Sequence, residues 1–128
     1  MGGERILVVD EDDGSRGLLK ELLESGGYIV WATNLPDEAS RRLREGERVD
    51  ALLFSAYKGG IELAKELAED ERLAGIPRML VTGWSEKYLS RRVPGLGIAV
   101  NKILLEPFGM KDLLEGVRDL LQMGKTSD

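Results

Sequence analysis

Cysteine and histidine are both absent from this chain of 128 residues. Without cysteine there is no disulfide framework, thiolate zinc site or cysteine nucleophile. Without histidine there is no Ser-His-Asp triad, no imidazole metal ligand and no phosphohistidine. The metal chemistry left open is oxygen-ligated, meaning magnesium, calcium or manganese. Positive charge is not concentrated either. The 18 Lys and Arg residues are interspersed among 23 Asp and Glu, for a net charge of −5. No basic stripe emerges, so direct nucleic-acid binding is not expected. No apolar run approaches the ~20 residues of a membrane span. The N-terminus, Met1-Gly2-Gly3-Glu4-Arg5, lacks a signal-peptide core, and a cytoplasmic protein is expected. GxGxxG and the Walker lysine pattern are missing, which argues against dinucleotide or NTP binding.

What is present is an alternation of short apolar runs and amphipathic stretches. Ile6-Leu7-Val8-Val9 reads as a strand buried on both faces. Leu18, Leu19, Leu22 and Leu23 then form a helical stripe over Ser15 to Ser25, stopped by Gly26-Gly27. Tyr28 to Thr33 is a second strand. Asn34-Leu35-Pro36-Asp37-Glu38 opens a helix with a cap, an early proline and first-turn acids, ending near Gly46. Val49 to Phe54 is a third strand, followed by a helix from Gly59-Gly60 to about Asp70. Ile76 to Val81 is a fourth strand, with Pro77 tolerated near its start, and Ser85 caps a short helix to Val93. Ile98 to Leu105 holds a fifth strand, and a last helix runs from about Met110 to Met123. Residues 1–123 therefore form one domain, and Gly124 to Asp128 a polar tail.

Strict alternation of strand and helix predicts a parallel sheet with right-handed crossovers. At this length a TIM barrel is excluded. The fold expected is a three-layer, flavodoxin-like α/β sandwich with strand order 2-1-3-4-5. Ligands of such sheets bind beyond the carboxyl ends of the strands. The residues that leave those ends are Asp10 and Glu11, Ser55, Thr82 and Gly83, and Glu106 and Pro107. The first strand ends in four consecutive carboxylates, Asp10-Glu11-Asp12-Asp13. Asp12 and Asp13 are expected to cap and charge the next helix N-terminus. Asp10 and Glu11 are expected at a site, because clustered carboxylates suit a hard divalent cation.

Ile6-Leu7-Val8-Val9-Asp10-Glu11-Asp12, with Arg16 beyond it, resembles the opening of the receiver domains of two-component response regulators. Val49 to Phe54 resembles that family's third strand, and Ile76-Pro77 through Val81-Thr82-Gly83 its fourth strand and hydroxyl residue. Glu106-Pro107-Phe108 resembles its Lys-Pro-Phe element, and Leu113 to Val117 its last helix. The ordered set spans nearly the whole chain. The resemblance implies a CheY-like fold in which two acids bind magnesium, an aspartate at the third strand's end accepts a phosphoryl group, and a Thr or Ser and a Lys sense it. Asp10 and Glu11 match the metal acids and Thr82 the hydroxyl. The acceptor position, however, holds Ser55, and the lysine position holds Glu106. Ile103 stands where an aromatic often lies, and the loop to Gly60 is shortened.

These departures have chemical weight. A serine hydroxyl carries no charge and cannot form an acyl phosphate. A carboxylate at 106 would repel phosphoryl oxygens. The reading that follows is a non-enzymatic pseudo-receiver in phosphorelay signalling, with no required cofactor. Its partners would be a histidine kinase, an output domain or a second copy, met through the helix 4–strand 5–helix 5 face. Trp84, Tyr88 and Ile103 are contact candidates there, with packing on the sheet edge as the alternative for Trp84. Trp31 is expected in the core or on the sheet surface. A second reading is a magnesium- or calcium-dependent sensor built on Asp10, Glu11 and Glu106. A third is a receiver phosphorylated at Asp50, Asp12 or Asp13, with Asp50 predicted at the opposite end of its strand. Lys58 and Lys102 are the candidate replacements for the missing lysine.

Overall fold

Five strands and five α-helices alternate along the chain in the computed structural model, which describes residues 3–97 and 100–125. The strands are β1 (Arg5–Val9), β2 (Ile29–Thr33), β3 (Ala51–Ser55), β4 (Arg78–Thr82) and β5 (Lys102–Leu105). The helices are α1 (Asp13–Ser25), α2 (Pro36–Arg44), α3 (Lys58–Glu69), α4 (Glu86–Arg92) and α5 (Met110–Lys125). A 3-10 turn, Val93–Leu96, extends α4. The strands pair in parallel in the order β2-β1-β3-β4-β5, as the alternation predicts.

Strand parity divides the core into two apolar layers. Ile6 and Val8, Ala51 and Leu53, and Met79 and Val81 face α1 and α5, meeting Leu19, Leu23, Leu113, Val117 and Leu120. Leu7 and Val9, Leu52 and Phe54, and Leu80 face α2 and α3, meeting Ala39, Leu43, Leu63, Ala64 and Leu67. This is why the strands read as continuous apolar runs: both faces of each central strand are covered. Each such leucine contributes about 1.5–3 kcal/mol by leaving water.

Several boundaries differ from the sequence reading, each for a local reason. Ile76 and Pro77 precede β4. The strand begins at Arg78, whose amide donates to Asn101 Oδ1 while the Pro77 carbonyl accepts from Leu52. β3 begins after Asp50 and includes Ser55. Asn34 is not a cap. Leu35 holds that position without a side-chain bond, and the Thr33 hydroxyl accepts from the Leu35 amide instead. α3 begins at Lys58, ahead of Gly59-Gly60. α5 continues through Gly124 to Lys125, so those residues are helical and not tail. Ile98 and Ala99, expected in the fifth strand, lie outside the described residues, as do 126–128.

Candidate functional site

The carboxyl ends of β1, β3, β4 and β5 form one row. Val9 pairs with Phe54, Ser55 with Val81, and Thr82 with Leu105. Asp10 follows Val9 directly, so it sits beside Ser55 across strands about 4.8 Å apart. Asp10 is 3% exposed. Its amide donates to the Thr33 carbonyl, and its carbonyl accepts from Arg16 at 3.0 Å. One carboxylate oxygen, Oδ1, accepts from the Asp12 amide at 3.0 Å, which turns the chain out of the sheet. Asp12 Oδ2 then accepts from Ser15 at 2.7 Å as the α1 N-cap, and Asp13 pairs with Arg16 in the first turn. Asp12 caps the helix and Asp13 places a negative charge in its first turn, as expected of them. Glu11 is exposed.

Ser55 ends β3 with its hydroxyl oxygen buried and without a hydrogen-bond partner. Thr82, also buried, accepts from the Trp84 amide at 3.0 Å. Glu106 is tied to β4 by its amide, which donates to the Thr82 carbonyl at 2.8 Å. A Cβ added to Gly83 would lie 3.8 Å from Glu106 Oε1, so the carboxyl hangs over that bare backbone. Desolvation raises the Glu106 pKa, and the charges of Asp10 and Asp12 raise it further. The two ends of the sequence motif thus converge: residue 106 feels the carboxylates that follow β1.

A divalent cation does not fit this donor set. Among the described residues no group of three or more Asp, Glu, His or Cys side chains is placed to hold a metal ion. Asp10 has one oxygen engaged, Glu11 is exposed, and the neighbouring strand offers a neutral hydroxyl. The three-acid set of Asp10, Glu11 and Glu106 is not assembled. The candidate replacement lysines also lie elsewhere. Lys58 is 90% exposed beside Glu62, and Lys102 pairs with Asp119 at 3.4 Å. Asp50 is engaged at the far end of β3, where its carboxylate accepts from the Arg5 amide at 2.7 Å.

Tyr57 is the residue that the sequence reading passed over. Its ring lies against Gly59 and Gly60, where an added Cβ would come within 2.9 and 3.0 Å of ring carbons. Its hydroxyl is buried without a partner. Burial raises its pKa first, then Glu11 and Asp10, with Arg16 opposing them. The phenol therefore sits within the field of the acidic run. The signal was the Gly59-Gly60 pair, which reads as a helix start but also leaves room for a ring.

Of the contact candidates, Tyr88 and Ile103 are 44% and 40% exposed. Trp84 is half-buried against the α2/α3 layer, with Tyr88 edge-on at 4.9 Å. Trp31 is half-buried on β2 beneath the Arg42 guanidinium at 4.0 Å, a sheet-surface position as expected.

No family model matches the chain. Individual relatives do. Response regulator MprA of Mycobacterium leprae is 32% identical, covering 97% of this chain and 54% of its own length. The phosphate regulon transcriptional regulatory protein PhoB of Rhizobium meliloti is 30% identical, covering 94% and 53%. The chain thus spans about half the length of the curated relatives it matches. Among solved structures, a CheY-like response regulator receiver domain protein from Methanospirillum hungatei superimposes with a TM-score of 0.78 at 25% identity, covering 98% of each chain. A response regulator from Thermotoga maritima gives 0.76 at 23% identity, covering 94% of this chain and 98% of its own. Strand order, the acidic turn after β1 and these relatives agree: the chain belongs to the receiver domains of two-component response regulators.

Proposed function

We propose that this chain is a pseudo-receiver, a non-enzymatic signalling domain that works by protein–protein contact without aspartyl phosphorylation. The observation that carries this reading is the buried, unpartnered Ser55 hydroxyl at the end of β3, beside Asp10. A hydroxyl there offers no carboxylate to form an acyl phosphate and no charge to complete a magnesium site. Glu106 supports the same reading. It adds negative charge where a phosphoryl group would need a cation, and burial, with Asp10 and Asp12 adding to it, raises its pKa.

The partner side rests on surface and length. Tyr88 and Ile103 are exposed on α4 and β5, and the chain matches about half of relatives named as regulators. The proposed partners are therefore an output domain, a histidine kinase or a second receiver. No described helix is long and apolar enough to cross a membrane, and the proposed location is the cytoplasm.

The test is incubation with acetyl phosphate and magnesium, read by intact mass. The wild-type chain is expected to remain unmodified. A hydroxylamine-labile adduct of one phosphoryl group would overturn the proposal. The Ser55→Asp/Glu106→Lys variant, run in parallel, shows whether the scaffold can be labelled under the same conditions.

A further inference from the structure

The loops after β3 and β4 share a second recess besides the strand-end crevice. A cleft of about 380 Å³ opens between α3 and the α4/3-10 segment. That volume lies within the range of small-molecule sites, about 300–1,000 Å³. Its buried and half-buried lining is aromatic and aliphatic: Tyr57, Ile61, Trp84 and Leu96. Its exposed lining includes Lys65 of α3 and Arg92 at the end of α4. The acid in this cleft, Glu62, already lies near a third cation, Lys58, at 3.9 Å. Among the described residues, Lys65 and Arg92 form no ion pair. The Arg92 guanidinium instead lies 5.8 Å from the centre of the Trp84 ring, which Tyr88 holds edge-on at 80°.

Two cations without counter-charges facing one aromatic-walled cleft is unusual in a chain of net charge −5. The recess complements a ligand that is planar at one end and doubly charged at the other. A phosphate monoester near pH 7 carries about −1.5 to −2 and three acceptor oxygens, which suits two cations. A single carboxylate would balance only one of them. Arginine adds a planar fork that matches phosphate oxygens.

We propose that this cleft binds a nucleoside monophosphate, with its base against Tyr57 and Trp84 and its phosphate between Lys65 and Arg92. Tyr57 and Trp84 lie just beyond Ser55 and Thr82, so the ligand would touch both loops that frame the strand-end crevice. The site stands whether or not Ser55 lies in a phosphorylatable pocket.

The test is a titration of the full chain carrying Trp31→Phe, which leaves Trp84 as its one indole. Adenosine 5′-monophosphate is added while Trp84 fluorescence is followed, and calorimetry gives the affinity. A saturable change with Kd below about 1 mM is expected. Adenosine alone and inorganic phosphate alone should each bind at least about 10-fold more weakly. Lys65→Glu/Arg92→Glu, at exposed positions, should weaken binding at least about 10-fold while melting stays unchanged. Lys65→Gln serves as a milder variant if the double reversal disturbs the fold, and a weaker loss is expected. No saturable change, phosphate binding as tightly as the nucleotide, or cation variants binding like the parent would each overturn the proposal. Acetyl phosphate labelling reads the pseudo-receiver proposal separately.

Discussion

At the amino-terminal end of β4 Arg78 is 2% exposed, and just beyond the carboxyl end of β1 Asp10 is 3% exposed. Both are charged groups withdrawn from water, yet their surroundings differ. Arg78 donates to the carbonyls of Ala64, Ala74 and Ile76 at 2.9 to 3.3 Å, and its backbone is pinned by Asn101. Each of its three nitrogens donates to a carbonyl, which offsets the desolvation that lowers its pKa. Asp10 sits beside the unpartnered Ser55 hydroxyl, and its charge adds to the burial that raises the pKa values of Tyr57 and Glu106. One end of the sheet is a satisfied staple joining α3 to β4. The other end holds like charges and unpartnered hydroxyls. Glu4 Oε1, buried without a partner near the base, is the exception to this division.

The comparison can be broken most decisively at the staple. Arg78→Ala should cost about 3–5 kcal/mol, because it removes the donors to three carbonyls and opens a cavity. Urea unfolding measures this, and a loss below about 1 kcal/mol would remove the contrast. Next in size is Ser55→Asp. A second carboxylate beside Asp10 should destabilise the fold by about 1–3 kcal/mol near pH 7, and adding Glu106→Lys should recover part of it.

Glu106→Gln should produce a smaller gain with a defined pH profile. The native carboxyl has a pKa above 4.5, so the folded state holds the proton more tightly than the unfolded chain. Wild-type stability should therefore fall as pH rises from about 4.5 through the raised native value. The variant should lack that decline, so its advantage grows with pH and then stays constant. Melting temperatures from pH 4 to 8 test this, and an advantage greatest in acid would contradict the assigned direction. The smallest effect belongs to Tyr57→Phe. Removing a buried hydroxyl without a partner should change stability by no more than about 1 kcal/mol, toward stabilisation. A clear loss would reveal a hydrogen bond at that hydroxyl.

The sequence carried the architecture because burial on both faces leaves continuous apolar runs, as in Ile6 to Val9 and Ala51 to Phe54. It carried the site's address as well, since Asp10, Ser55, Thr82 and Glu106 each sit at or just after a strand end. Boundaries were less legible where a tertiary bond decides them. Nothing local says that Asn101 pairs with Arg78, or that Thr33 caps the turn before α2. Assembly was not legible either. Adjacent acids suggested a cation site, but the Asp12 amide occupies Asp10 Oδ1 and Glu11 is exposed. Tyr57 escaped notice because its position depends on what Gly59 and Gly60 leave open across a turn. Arg78 escaped for the opposite reason: a lone arginine reads as surface, and only the carbonyls of a distant helix and loop keep it inside.

The packing of Tyr57 over Gly59 and Gly60 bears on evolutionary reversibility. Placing an aspartate at 55 alone would set a new carboxylate beside Asp10, with Tyr57 still in place and Glu106 still negative. That single step is opposed until its neighbours have also changed. On the pseudo-receiver reading proposed above, Ser55 acts as a ratchet: a chain with this crevice reaches new surfaces and ligands by fewer changes than it needs to reach phosphoryl chemistry.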